Sequence, residues 1–323
     1  MLPDKDRDVD VVVCGLATVD IVARPVPLAH PIGPANLLLA DRIELTTGGM
    51  VSNSGIALAK LGMRTAAVAC LGRDDWADVV RRRYQSEGLE TTHLIAHPTA
   101  RTSATIVLVD DSGERSFVFE LGASRELDAP MVLAHRPLFA RTRWMLFGYY
   151  SLFPDCDRQL PEIFSEVRKT GCRTALDVAG SGGGLEPLGQ ILPHVDAYVP
   201  SLKEAVHQTG VRDHQEIFAT YRRLGAEGLV GLKLGAQGAI LSPAPGEFLK
   251  IEIVAPPGAI VDTTGAGDAF FAGLLAGLIR GLPLPHAGRL AAAAGACCVT
   301  GLGATAGLRG WNETRELAGL ELP

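Results

Sequence analysis

The run Asp262-Thr263-Thr264-Gly265-Ala266-Gly267-Asp268-Ala269-Phe270 holds the residue types for one particular reaction. Gly265 and Gly267 allow a tight turn and a close approach of backbone to ligand. From Ala269 to Ile279 the chain is apolar apart from glycines and closes on Arg280, so the turn opens a buried helix. The first amides of a helix have no intrahelical partner and point outward at an anion. Asp268 falls in that same first turn, where the positive helix end favours an ionised carboxylate. Amides that hold charge on a phosphate, beside a carboxylate that accepts a proton, suit transfer of a phosphoryl group to a hydroxyl. A glycine turn with a capping aspartate would use the same residues.

Three further stretches carry polar groups next to glycine turns. Gly48-Gly49 precede a run with apolar residues at helical spacing, stopped by Gly62, and Asn53 lies in its first half. Pro200-Ser201-Leu202-Lys203-Glu204 spells a helix N-cap serine with an acid three residues on. Val230 to Ala239 reads as strand, glycine turn and returning strand, with Lys233, Gly235 and Gly238 at the turn. Asp20 sits in Leu16–Val22, where apolar and polar residues alternate, so one face of that strand meets something other than the main core.

The elements that must position these groups alternate along the chain. Val9–Cys14 is a β-branched run, and Ala66–Cys70 reads as a second parallel strand. Asp74–Gln85 reads as a helix with an acid at its start and arginines at its end, and Arg81-Arg82-Arg83 as its solvated face. Residues 25–36 are proline-rich and read as a loop. Thr102–Val109 and Ser116–Phe119 are strands joined by the turn signal Asp110 to Glu114. From residue 143 the pattern is strand 143–147, helix about 155–169, strand 173–178, strand 195–199 and a helix from 202, the signature of parallel βαβ units. Gly180 to Gly184 reads as flexible linker, and residues 285–300 as an alanine-rich helix.

Composition excludes several classes. The chain has 323 residues, 47% hydrophobic, enough for a sizeable core. A net charge of −6 without a basic stripe argues against nucleic acid as a partner. The charged start and the lack of a long apolar run argue against export and against a membrane. Six cysteines without Cys-x-x-Cys spacing read as reduced thiols, so the expected compartment is the cytoplasm. His93 and His97 lack the glutamate of a zinc-protease helix and read as loop residues, and the P-loop spelling is missing.

Asp262 to Phe270 resembles, without departure, the C-terminal signature of the ribokinase-like (PfkB) carbohydrate kinases. Gly48 to Gly62 resembles the family's N-terminal signature, with Ser54-Gly55 where alanine is frequent. The resemblance runs from about residue 9 to residue 309. It implies a single α/β domain over 1–323, a doubly wound, mostly parallel sheet flanked by helices. A small β lid would be inserted at about 17–47 and 101–123. It implies transfer of the ATP γ-phosphoryl to a primary sugar hydroxyl, with Asp268 as base and the amides of Gly265, Ala266 and Gly267 as anion hole. Asp20, Gly48, Gly49 and Asn53 would bind the sugar. Ser201, Lys233, Gly235, Gly238 and Thr264 would lie along the nucleotide, and Glu204 would act on Mg²⁺ through water. Ser201 replaces the asparagine usual in that motif. The resemblance also implies a monovalent cation such as K⁺ near Asp262 and Thr264, and pairing of two copies through the lid.

Phe147-Gly148-Tyr149-Tyr150-Ser151 departs from the polar sugar contacts of ribokinases at that strand end. The competing readings are a nucleoside kinase, in which these aromatics stack a base, and a non-catalytic sugar sensor on the same fold.

Overall fold

The computed structural model describes residues 7–29, 33, 37–180 and 182–321. The charged start at residues 1–6, part of the 25–36 loop and Ser181 of the glycine linker lie outside them. The chain opens with β1 (Val9–Gly15), enters a small sheet as β2 (Thr18–Arg24) and β3 (Arg42–Gly48), and turns into α1 (Gly49–Lys60). β4 (Thr65–Val68) and β5 (Cys70–Leu71) lead to α2 (Asp75–Ser86) and β6 (Ile95–Ala96), and β7 (Ala104–Val109) with β8 (Arg115–Glu120) completes the small sheet. Helices α3 (Ala129–Leu133) and α4 (Arg136–Ala140) precede β9 (Thr142–Tyr150), α5 (Pro154–Lys169), β10 (Arg173–Val178), α6 (Leu185–Ile191) and β11 (Ala197–Tyr198). Then come α7 (Leu202–Thr209), α8 (His214–Arg223), β12 (Leu229–Lys233), β13 (Ala239–Ser242), β14 (Leu249–Ile251), α9 (Ala266–Ile279), α10 (Leu284–Cys298) and α11 (Trp311–Leu317).

The main sheet runs β14-β13-β12-β11-β10-β9-β1-β4. It is parallel from β4 to β12 and antiparallel at the β13 and β14 edge. Both faces are covered, which is why β1 is buried along its whole length rather than alternating. Val11 and Val13 face the core formed with α1, α2, α9 and α10. Val9, Val12 and Cys14 face the core on the α5 side. The expected strand 66–70 is divided: β4 stays in the main sheet, and β5 leaves it to pair with β6.

The small sheet has the order β3-β2-β7-β8. Its register places Asp20, Val22 and Arg24 on one face with Thr46, Glu44 and Arg42 of β3. Val107 and Val109 of β7 and Arg115 and Phe117 of β8 join that face. The alternation read around Asp20 is therefore the alternation of a lid strand. The other face carries Ile21, Ile43, Leu45, Ile106 and Val118.

Helix α9 carries Asp268 and packs against α10 at close range. A side chain on Gly273 would begin 2.8 Å from the Ala291 Cα, and one on Gly277 would begin 2.7 Å from the Ala287 Cα. The two backbones touch because one side supplies glycines and the other alanines. Gly273→Val should therefore cost about 1–3 kcal/mol through overpacking, read as a lower urea midpoint at unchanged slope.

Candidate active site

Gly265 has φ +75°, a left-handed conformation that turns the chain into α9. The Ala269 amide donates to the Gly265 carbonyl at 2.8 Å, and the Ala266 amide donates back to Thr263 at 3.3 Å. Asp268 follows in the first turn and is only 7% exposed. Its Oδ2 accepts from Asn53 Nδ2 at 2.8 Å and from the Tyr149 hydroxyl at 2.9 Å. Asn53 comes from α1 and Tyr149 from the end of β9, so three separate elements converge on one carboxylate oxygen. Tyr149 and Ser151 hold positive φ, at 49° and 84°. Non-glycine residues in that region cluster at functional sites.

Burial pushes the Asp268 carboxyl up to about 7, with the negative Asp177 as the next cause. The bonds from Asn53 and Tyr149 and the charge of Lys233 pull the other way and do not prevail. The helix end was expected to keep Asp268 strongly acidic; desolvation outweighs it. Burial also pushes the Tyr149 hydroxyl well above its ordinary value, so it stays protonated and donates.

Two cavities flank this group. The first, about 360 Å³, lies under the lid and is lined by Asp20, Asn53, Arg83, Arg115 and Asp262 among others. Asp20 is pushed up to about 6 by burial, against bonds from Thr105 and Thr18. Its Oδ1, the Asn53 Oδ1 and the Thr47 hydroxyl are buried without a protein partner. Three unanswered buried polar atoms around one cavity suit a ligand rich in hydroxyls. Gly48 backs this clamp: a side chain there would begin 2.0 Å from Asp20 Oδ2. Gly49, with φ +79°, presses against the Leu16 carbonyl and starts α1.

The second cavity, about 410 Å³, is largely apolar, with Ile253, Pro256, Ile260, Phe270 and Val299 in its wall. Lys233, Gly235, Gly238, Ala266 and Gly267 also line it. Lys233 Nζ lies 3.0 Å from Asp177 Oδ1. Burial lowers this lysine's pKa, but Asp177, Glu204 and Asp268 together outweigh burial, and its ammonium is held above the ordinary value.

Several expected site residues stand elsewhere. Thr264 lines the lid cavity and not the apolar one. Ser201 and Glu204 line neither cavity: they form a reciprocal helix cap, the Ser201 amide donating to Glu204 Oε2 at 2.6 Å. Phe147 and Tyr150 are core residues, Phe147 packing edge-on to Phe153 and Phe164. Asp262 is already matched. It ion-pairs with Arg115 of the lid and accepts from the Thr264 amide at 2.7 Å and the Gly303 amide at 2.6 Å. These partners engage both oxygens of the carboxylate. Burial pushes the Asp262 carboxyl up, and Arg115 with the two amides more than offsets it.

Sequence reading missed Asp177, Arg115 and the role of the Tyr149 hydroxyl. Asp177 had a signal: an acid near the carboxyl end of a buried strand, where open α/β sheets place ligands.

The family description "pfkB family carbohydrate kinase" matches residues 8–310. The chain belongs to the pfkB family of carbohydrate kinases. This pfkB chain is 32% identical over 279 residues to the aminoimidazole riboside kinase of Salmonella typhimurium, covering 81% of this chain and 84% of that protein. It is 26% identical to the ribokinase of Haemophilus influenzae, covering 88% and 90%. Its fold is similar to Arabidopsis thaliana ribokinase complexed with ribose and ATP, with TM-score 0.85, 23% identity and 97% and 99% coverage. An E. coli protein described as a ribokinase II, in complex with ATP and Mg²⁺, gives TM-score 0.80 at 22% identity, covering 96% and 99%. The fold is the ribokinase-like α/β fold expected from the two signatures, and the chain is an ATP-dependent carbohydrate kinase.

A carbon-13 carboxyl titration should place the Asp268 midpoint near 7. Asp177→Asn should move that midpoint down, because it removes a negative neighbour. Tyr149→Phe should move it up, because it removes a donor to the charged form. Movement in the opposite senses would show that these two groups do not set it.

Proposed function

We propose that the chain transfers the γ-phosphoryl group of ATP to a primary hydroxyl of a small sugar or sugar derivative, with Asp268 as general base. The observation that carries this is the surroundings of Asp268, which itself lines neither cavity. Its partner Asn53 lines the lid cavity, and its neighbour Gly267 lines the apolar one. Sugar in the first cavity and nucleotide in the second bring acceptor and donor together at this carboxylate.

The roles follow from the bonds. Asp20 and Asn53 hold sugar hydroxyls, which fixes the attack angle. Both donors to Asp268 fall on Oδ2, leaving Oδ1 to take the acceptor proton. The amides at Gly265, Ala266 and Gly267 and the Lys233 ammonium hold negative charge on the transferred group. A nucleotide base finds an apolar wall in Ile253, Ile260 and Phe270. Mg²⁺ bound with ATP supplies further positive charge at the phosphates. The fit for it rests on acids near Lys233: Asp177 Oδ2 is buried without a partner, and Glu204 keeps only Oε2 in its helix cap. Asp177 and Glu204 would be the residues to hold it, Glu204 through water.

A nucleoside acceptor held by the aromatic segment is disfavoured. Phe147 and Tyr150 are core, and the Tyr149 hydroxyl is committed to Asp268. A sensor without chemistry would have no use for a carboxyl held near 7 between two cavities. Among the described residues no helix is long and apolar enough to cross a membrane. All six cysteines are free and buried, which fits work in a reducing cytoplasm.

The outer lid face is the surface on which two copies would pair. Ile43 is 70% exposed, Val118 62% and Leu45 51%, on the two edge strands, β3 and β8, of one sheet face. A second copy of this chain would cover that face with its own equivalent, as two-fold pairing requires.

Asp268→Asn should slow turnover by about 10² to 10⁴ with the fold intact; near wild-type turnover in a sugar-dependent ADP-release assay would remove the base from this role. Ile43→Lys with Val118→Lys should yield a monomer by light scattering where the parent is a dimer. A parent that is monomeric at every concentration would end the pairing idea.

A further inference from the structure

The outer end of the lid cavity carries an excess of positive charge. Arg24 and Arg42 are direct cross-strand partners on the cavity face of β2 and β3. Like charges placed opposite one another destabilise a sheet unless something answers them. Glu44 answers one: it lies 2.6 Å from Arg42 and 4.0 Å from Arg24. A third guanidinium enters from the opposite wall. Arg83, expected on the solvated face of α2, lines the cavity as well. Its carboxylate partner Glu87, at 2.9 Å, is shared with Lys60 at 3.6 Å. The Arg83 Nε is buried with no partner. Each of these two groups therefore holds one more cation than anion. Arg115 is different, because Asp262 neutralises it.

We infer that the acceptor is an anionic sugar, with a phosphate or carboxylate at the end remote from the reacting hydroxyl, held by Arg24, Arg42 and Arg83. This rests on the phosphotransferase reading above and names its substrate class. Guanidinium forks from different elements are the groups that bind planar or tetrahedral oxyanions with two bonds at once. The spacing fits. Arg24 lies four residues beyond Asp20 on one strand, about 13 Å at the rise of an extended chain. That distance is enough to span a sugar with a terminal oxyanion. The sugar then lies with its hydroxyls on Asp20 and Asn53 and its free primary hydroxyl toward Asp268. In the reaction the bond from the γ-phosphorus to the β–γ bridging oxygen breaks and a bond forms to the sugar oxygen. The hydroxyl proton goes to Asp268, and ADP leaves with the electron pair. The remote anion takes no part in these bonds; it fixes which sugar enters and which way round.

The test is steady-state kinetics of the full chain with ATP and Mg²⁺ on matched acceptors. Ribose, arabinose, glucose and galactose are each compared with their aldonates and anomeric phosphates, and fructose with its terminal phosphate. At least one anionic member should exceed its neutral counterpart in kcat/KM by tenfold or more, and the better anion tells phosphate from carboxylate. Arg83→Ala should then reduce kcat/KM on that anion by about tenfold to a hundredfold more than on the neutral sugar, the size of one charge-assisted hydrogen bond. Arg83→Lys should recover only part of the loss, because an ammonium keeps the charge and loses the fork, and added salt should raise KM for the anion selectively. A neutral sugar preferred throughout, or equal losses on both members in Arg83→Ala, overturns the anionic class and leaves the phosphotransferase reading standing. Sugar-dependent ADP release with none of these acceptors overturns the class as well, and ADP release insensitive to Asp268→Asn overturns the reading beneath it.

Discussion

The structure depends on keeping one carboxylate out of water and still usable. A helix N-terminus favours a negative group by about 1 kcal/mol, up to about 2 in sheltered geometries. Raising the Asp268 carboxyl from 3.8 to about 7 corresponds to about 4 kcal/mol in the other direction. Burial wins because the site is closed by α1, β9 and α9 together, and Asp177 adds a like charge from β10. The product of that contest is a group whose affinity for a proton lies near neutrality, which is where a base that must take and later release a proton is most effective. Asn53 and Tyr149 do not abolish the shift. They hold Oδ2 in place and so decide which oxygen faces the reaction.

That arrangement explains why the surrounding backbone is so constrained. Asn53 reaches Asp268 only because α1 starts at the left-handed Gly49 and passes close to α9. Tyr149 reaches it from a left-handed position that a bulky residue occupies at a cost of about 1–3 kcal/mol. The glycine and alanine contact between α9 and α10 then fixes the helix that carries the base. Each of these is a packing statement about the far side of an element whose near side does the chemistry. Rigidity is the common result, and it suits a carboxylate that has to meet a hydroxyl at one angle.

Much of this was legible in the sequence, for physical reasons that differ by residue. Gly265 and Gly267 bracket a turn that only glycine makes comfortably, and an apolar helix must follow it, so Asp268 could be placed in advance. Strand alternation shows only that the Asp20 face meets something other than the main core; the sugar-side role of Asp20 and Asn53 comes from the family resemblance. Tyr149 could not be placed: its hydroxyl is aimed by a positive φ at a non-glycine residue, which no local pattern announces. Ser201 and Glu204 spell a helix cap and a metal-linked acid equally well, and the two are compatible, since the cap takes Glu204 Oε2 alone. Arg83 combines two surroundings that its spelling does not separate. Three successive arginines look like a solvated face, and the Arg83 side chain is 39% exposed, as that of Arg81 is, yet it also lines the lid cavity. Thr264 shares a turn with the anion-hole residues, and adjacent residues in a tight turn point to opposite cavities.

The Asp262 and Arg115 pair connects the two halves of the molecule. Asp262 holds the Thr264 amide at the start of the anion turn and the Gly303 amide in the loop after α10, so it braces the backbone that presents the anion hole. Arg115 comes from β8, the far edge of the lid. A guanidinium bound to a carboxylate that is itself nearly buried is worth more than an exposed pair, because breaking it leaves a charge without solvent or partner. The lid is thus anchored to the turn at one edge. Its other edge, β2 and β3, carries Asp20, Arg24, Glu44 and Arg42 on the cavity face. With β8 tied down, β2 and β3 are the lid strands that contact α2. Exclusion of water matters here because water competes with the sugar hydroxyl for the same phosphorus, and an anion that bridges Arg83 on α2 with Arg24 and Arg42 on the lid would make closure conditional on the right acceptor.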